Sequence, residues 1–163
     1  MAEGEFALVR QHMESAIRKP FSQKSLWCHD YDAYAMLADA AAQQRDAVAL
    51  RQYAPLAEET ARRYGHKLYQ AIAHRAWGVA HRLAGRSAYA EAEARLNHAL
   101  ALFHELDTRW QVGRTLFELG ELALAQNHTA NARDHFTRAL AAFEAIHAAP
   151  DAARTRVALE SLA

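Results

Sequence analysis

Ten histidines in 163 residues are the first side chains to weigh, because imidazole binds transition metals and exchanges protons near neutral pH. Two ligands on one helix reach a single ion only at i, i+3 or i, i+4 spacing. No pair of histidines has that spacing: His74 and His81 are seven apart, and Glu144 with His147 is a lone E-x-x-H. A di-iron helical bundle needs two such motifs and further carboxylates. The histidines therefore read as polar helix-face residues, with no metal and no cofactor expected. Cys28, His29 and Asp30 have the types of a nucleophile set, but consecutive residues point in different directions, and catalytic groups are neighbours in space more than in sequence. Cys28 reads instead as a packing residue in a link between helices. No G-x-x-x-x-G-K-[ST] phosphate loop occurs. With no activated nucleophile, metal set or phosphate loop, the chain is expected to be non-enzymatic.

Charge and aromatic content narrow the partners. Lys plus Arg and Asp plus Glu are 19 each, so no overall basic field attracts nucleic acid or an anionic membrane. The runs Arg62-Arg63 and Arg82 to Arg86 read as solvated faces. Trp77 is expected to pack in the core, while Trp27, in a link, and Trp110, at a helix start, are expected to be partly exposed. No apolar run nears the roughly 20 residues of a spanning helix, and the N-terminus lacks the basic-then-apolar order of a signal peptide. The single cysteine forms no internal disulfide, in keeping with a reducing compartment. A cytoplasmic protein is expected.

The elements that carry these residues must be helices, because alanine abounds, β-branched residues are scarce and no alternating pattern persists. Helices are expected at 5–18, 30–44, 46–64, 66–85, 88–106, 109–126, 129–147 and 150–162. Asp46, Ser87, Asp107 or Thr108, and Thr129 are candidate N-caps, and Gly65 a C-terminal stop. Pro55 should kink or split the third helix. The chain also repeats itself. Trp77-Gly78 aligns with Leu119-Gly120, and Ala92, Leu96 and Ala99 then align with Ala132, Phe136 and Ala139, given a two-residue insertion at Ser87-Ala88. A looser copy places Leu37-Ala38 in the glycine position and Ala49, Tyr53 and Leu56 in the second run. The period of about 40 to 42 residues suits a two-helix unit. Glycine in a helix costs about 1 kcal/mol relative to alanine, so Gly78 and Gly120 at matching places imply that another backbone approaches closely there.

The pair Leu119-Gly120 followed by Ala132, Phe136 and Ala139, and its copy at Trp77, resemble the tetratricopeptide repeat. That resemblance implies an all-α, right-handed superhelical stack of antiparallel helix pairs, about eight helices in one domain over residues 1–163. Repeats would lie near 30–64, 66–106 and 109–147, with a partial repeat at 4–20 and a capping helix at 150–162. The motif's closing proline is missing after both clear copies, and Ala38 replaces glycine in the first. The implied function is a protein-protein interaction scaffold that holds a partner segment in a concave groove. The longer, alanine-rich units are also similar to the C-terminal arrays of large bacterial signalling ATPases and LuxR-family transcriptional activators, which implies the alternative of an effector-sensing module in a larger regulator.

If the repeats are equivalent, the first helix of each projects Asp32 and Asp39, then Arg75 and Arg82, then Arg114 and Glu121 into the groove. Arg75 and Arg82, with Arg114, are expected to hold a carboxylate of an acidic peptide or effector by forked hydrogen bonds. The competing expectation pairs Asp39 with Arg75 or Arg82 across adjacent helices. Residues 4 to 20 read as the second helix of a repeat, with Phe6, Val9, Met13, Ala16 and Ile17 on one face and Pro20 as the stop. No first helix precedes it in this sequence, so Phe6, Val9 and Met13 are expected to be uncovered and to promote self-association.

Overall fold

The computed structural model describes the backbone of residues 3–18 and 30–162 and the side chains of 8–18 and 32–162. Pro20, Trp27, Cys28 and His29, and the side chains of Phe6 and Asp30, lie outside these. The described residues form eight α-helices: α1 (Glu3–Arg18), α2 (Asp30–Gln44), α3 (Ala47–Arg63), α4 (Lys67–Ala84), α5 (Tyr89–Glu105), α6 (Arg109–Ala125), α7 (Thr129–Ala145) and α8 (Ala149–Glu160). There is no strand among them. Helix ends fall within two residues of those the apolar periodicity predicts.

One backbone device makes five of the helix connections. Arg45, Gly65, Asp107, Asn127 and His147 each have positive φ, which turns the chain back on itself. The next residue's N–H then bonds a carbonyl five positions earlier, as from Asp46 to Ala41 at 3.0 Å, His128 to Ala123 at 2.8 Å and Ala148 to Phe143 at 2.9 Å. This is a Schellman closure of the helix C-terminus. Only one of the five is glycine, so four connections accept the cost of a side chain in the left-handed region. The sixth connection departs from the pattern: after Gly85 (φ 100) a 3-10 turn, Arg86–Ala88, joins α4 to α5. The extra residues Ser87 and Ala88 form that turn and cap nothing with their side chains. Of the other expected N-caps, Asp46 accepts from Val48 N–H at 3.0 Å and Ala49 N–H at 2.9 Å. The Thr108 hydroxyl instead donates to the Phe103 carbonyl, and Thr129 is already inside α7. Helix α3 runs unbroken through Pro55. Pro55 sits on its exposed side, where water takes the carbonyl that the ring leaves unpaired.

Consecutive helices pack as antiparallel pairs, and α2 also packs on α4 and α4 on α6, whereas α3, α5 and α7 make no comparable contacts with one another. The stack therefore curves with α2, α4 and α6 on its inner side. One apolar cluster joins α2, α3 and α4 through Leu37, Leu50, Tyr53, Ala57 and Val79. A second runs from α4 to α8 through Leu96, Phe103, Leu116, Phe136 and Phe143. The matched glycines lie inside these pairs, and what each admits is a side chain more than a backbone. A Cβ on Gly120 would stand 2.5 Å from Phe136 Cε1, and one on Gly78 2.5 Å from Leu96 Cγ, with the Ala92 carbonyl at 3.3 Å. Gly113, two turns before Gly120, gives the same room to the Phe143 ring. Ala92, Ala99, Ala132 and Ala139 are fully buried beside those large residues.

At the N-terminal end, the apolar stripe of α1 is largely covered. Met13 and Ile17 pack on the first cluster, and Val9 is half-buried. Tyr53 donates to Glu14, and Arg10 reaches Asp46 at 3.5 Å. Among the described side chains of α1, Leu8 is the large apolar one that stands exposed.

Candidate functional site

The inner face of α2, α4 and α6 carries two adjoining groups of arginines and carboxylates. Asp39 is the first node. Arg114 grips it with a fork, Nη1 to Oδ2 at 2.9 Å and Nη2 to Oδ1 at 3.1 Å, while Arg75 Nη2 donates to Oδ1 at 2.8 Å and Gln43 Nε2 to Oδ2 at 3.1 Å. Burial alone would raise the Asp39 carboxyl, but the two arginines outweigh it and hold the group at about 2. Arg75 is not at the groove surface. Only 1% of it is exposed, and its Nη1 donates to the Gln111 carbonyl at 3.3 Å and to Thr115 Oγ1 at 3.4 Å. Its guanidinium lies 5.0 Å over the Phe103 ring. Burial, then the like charge of Arg114, lowers Arg75 to about 10, still protonated at neutral pH. The forked arginine bond to a carboxylate is thus present, but the carboxylate is the chain's own Asp39, and Arg75 cannot reach an external ligand.

The second node is Glu118. Arg45 Nη1 donates to both of its oxygens, at 2.7 and 2.8 Å, and Arg82 Nη2 to Oε2 at 3.3 Å. Glu121 stands 3.7 Å from Arg82 and 3.8 Å from Arg45. Arg82 is therefore no solvated charge; its side chain is 11% exposed. Two donors here, Arg45 Nη2 and Arg82 Nε, are buried without a hydrogen-bond acceptor. Beside this node Arg154 of α8 lies 4.1 Å over the Phe117 ring and makes no ion pair among the described residues. Trp110, part exposed as expected, donates to Asp151 at 2.9 Å and supports Arg114 at 4.7 Å. The cavity among Gln43, Arg114, Phe117, Glu118 and Arg154 is about 20 Å³, space for about one water.

The fold thus gathers Asp39, Arg75 and Arg114 in one group and Arg82 and Glu121 in a second on the same face, and Asp32 lies half-buried on the same helix as Asp39. Arg45, Gln43, Glu118 and Arg154 belong to them without any mark in the repeat pattern. One signal was available. Asp39 with Arg75, Arg75 with Gln111, and Arg82 with Glu118 are each 36 residues apart, one helical turn short of the repeat. A long side chain on one inner helix leans to meet its neighbour a turn away, so polar contacts recur at a shorter interval than core positions.

Elsewhere, the histidines form no group of three or more metal-type ligands among the described residues. His74 stacks on His98 with centroids 4.2 Å apart, and Arg95 Nη1 lies 3.1 Å from its Nδ1. Burial, then the charges of His98 and Arg95, lowers His74 to about 4 against the opposing pull of Glu58. Arg95 also binds Glu58 at 2.7 Å, and the half-buried Trp77 donates to that carboxylate at 2.7 Å. Arg62 and Arg63 are exposed, and among the described residues no helix is long and apolar enough to cross a membrane.

The tetratricopeptide-repeat family model matches residues 69–145, a stretch that spans α4 to α7 and holds both glycine-bearing copies. No curated protein and no solved structure matches the chain. Residues 69–145 are tetratricopeptide-repeat sequence.

Proposed function

We propose that the tetratricopeptide-repeat stretch and its flanking helices form one non-enzymatic interaction domain, which takes an extended, acidic segment of a cytoplasmic partner protein on the face of α2, α4 and α6. Helical-repeat stacks use such curved faces to hold extended segments, and the family match over 69–145 supports that class of function here. The acidic character of the partner rests on one observation. Arg45, Arg75, Arg82 and Arg114 are paired with Asp39, Glu118 and Glu121, whereas Arg154 feels Glu118, Glu121 and Asp151 only from beyond ion-pair distance and makes no ion pair among the described residues. An arginine stacked on an aromatic ring with no direct ion pair favours a carboxylate partner.

The test compares a glutamate-rich extended peptide with its glutamine counterpart by fluorescence anisotropy. The acidic peptide is expected to bind, more weakly as salt rises. Arg154→Glu is expected to weaken it about tenfold or more with little change in melting temperature. Equal binding of both peptides, or unchanged binding by the variant, overturns the acidic-partner reading. Arg75→Ala is no substitute, because it leaves Asp39 without its buried partner.

A further inference from the structure

The inner face is spanned by its own side chains. Asp39 and Arg45 belong to α2 and the turn that follows it, and Arg114 and Glu118 to α6; α2 and α6 are not packing neighbours, since α4 lies between them. Both links engage two carboxylate oxygens: Arg114 holds Asp39 with a fork of Nη1 and Nη2, and Arg45 holds Glu118 from Nη1 alone. Arg45 reaches over α4 from a left-handed backbone conformation, φ 58, that a non-glycine residue adopts at a cost. Its Nη1 also holds the Ala42 carbonyl at 3.0 Å, so the arm is braced against its own helix. Beside the span, toward α8, the cavity of about 20 Å³ among Gln43, Arg114, Glu118 and Arg154 admits a water and no peptide backbone.

We propose that these two ion-pair links are a latch which holds α2 against α6 and closes the inner face, so that a partner enters only after the latch opens. Glu118 and Asp39 occupy the positions on Arg45, Arg82 and Arg114 that carboxylates of an acidic segment would take. The chain carries its own competitor for the site. The functional consequence rests on the reading of the inner face given above, but the latch itself is a property of the free protein.

The experiment measures the α2–α6 distance with no partner present. Spin labels are placed at Met36→Cys and Arg109→Cys, two exposed positions, one midway along α2 and one at the start of α6, with Cys28→Ser so that no third label attaches. Pulsed dipolar spectroscopy compares the labelled protein with its Glu118→Gln and Arg45→Gln forms, and far-UV circular dichroism confirms that helix content is kept. The expected result is a mean distance longer by about 2 Å or more, or a visibly broader distribution, in either variant. High salt should move the parent partway in the same direction, since the Debye length shrinks to about 3 Å at 1 M but half-buried pairs are screened less. If Glu118→Gln fails to fold, Arg45→Gln, altered at a turn, carries the test. Superimposable distributions in the parent and the folded variants overturn the latch and show that helix packing alone sets the spacing. The glutamate-rich peptide then separates the two readings: a wider distance with no gain in its binding leaves the latch standing and removes the acidic partner.

Discussion

His74 shows how a fold changes the chemistry of a residue that the sequence presents as ordinary. Its ring is held neutral by burial, by His98 and by Arg95, at about 4 instead of the ordinary 6.5. The unfolded chain therefore binds this proton more tightly than the folded one, so stability is full above about 6.5 and falls as the pH drops from 6.5 toward 4. Below that, both states are protonated and His74 adds no further slope. Replacing it by glutamine is expected to flatten the pH dependence of urea-unfolding free energy within that window; an unchanged slope there would assign the dependence to other groups. Gly120 makes the opposite case, a residue whose role is a missing atom. Alanine would gain about 1 kcal/mol of helix propensity, yet its Cβ would stand 2.5 Å from the fully buried Phe136 ring. Overpacking typically costs about 1 to 3 kcal/mol. Gly120→Ala is expected to lose about 1 kcal/mol net, and adding Phe136→Leu should recover part of it in a double-mutant cycle of thermal unfolding. A stabilised Gly120→Ala protein would mean the pair is looser than the structure has it.

At the scale of the element, the turns decide how one helix hands the chain to the next. Arg45 and His147 sit in the same left-handed position of equivalent turns, and the steric cost is the same for both. Glycine there relieves up to about 1 kcal/mol. His147→Gly is expected to raise the melting temperature by that measure. Arg45→Gly gains the same relief but loses the two bonds to Glu118, so it should leave the melting temperature level or lower. A difference of sign between the two substitutions, read by calorimetry, separates backbone strain from side-chain function. These turns were only partly legible. Gly65 and Asp46 announce themselves by type, and Asp107, Asn127 and His147 are types that tolerate left-handed backbone without requiring it, whereas Arg45 goes against propensity and is placed there by the packing of the helices it joins.

Across the whole molecule, Asp39 ties three helices, taking Arg75 from α4 and Arg114 from α6. Removal of its charge leaves Arg75 buried without a counterion, a situation that costs about 3 kcal/mol or more. Asp39→Asn should show that loss in urea unfolding at neutral pH, while Asp134→Asn, whose partner Arg138 is exposed, should stay within about 0.5 kcal/mol. The sign of the acid response follows from the lowered carboxyl. Asp39 contributes above its ordinary 3.8, and the contribution fades as pH falls from there toward 2, so the parent should lose stability in that range and the asparagine form should not.

Helix content, the helix ends and the two glycine-bearing repeats were determined by the sequence alone, because they depend on local propensity and on apolar positions at a fixed period. Leu119-Gly120 followed by Ala132, Phe136 and Ala139 carries its meaning in spacing. The charge pairing does not. Whether Arg75 faces solvent or lies between Phe103 and Asp39 depends on the curvature of the stack, which brings residues 75 positions apart, Asp39 and Arg114, within hydrogen-bond distance. Curvature is the sum of small rotations between successive pairs, and no single repeat contains it. The tertiary structure alone therefore decided which arginines were spent on the chain's own carboxylates and that Arg154 stacks on Phe117 without an ion pair among the described residues.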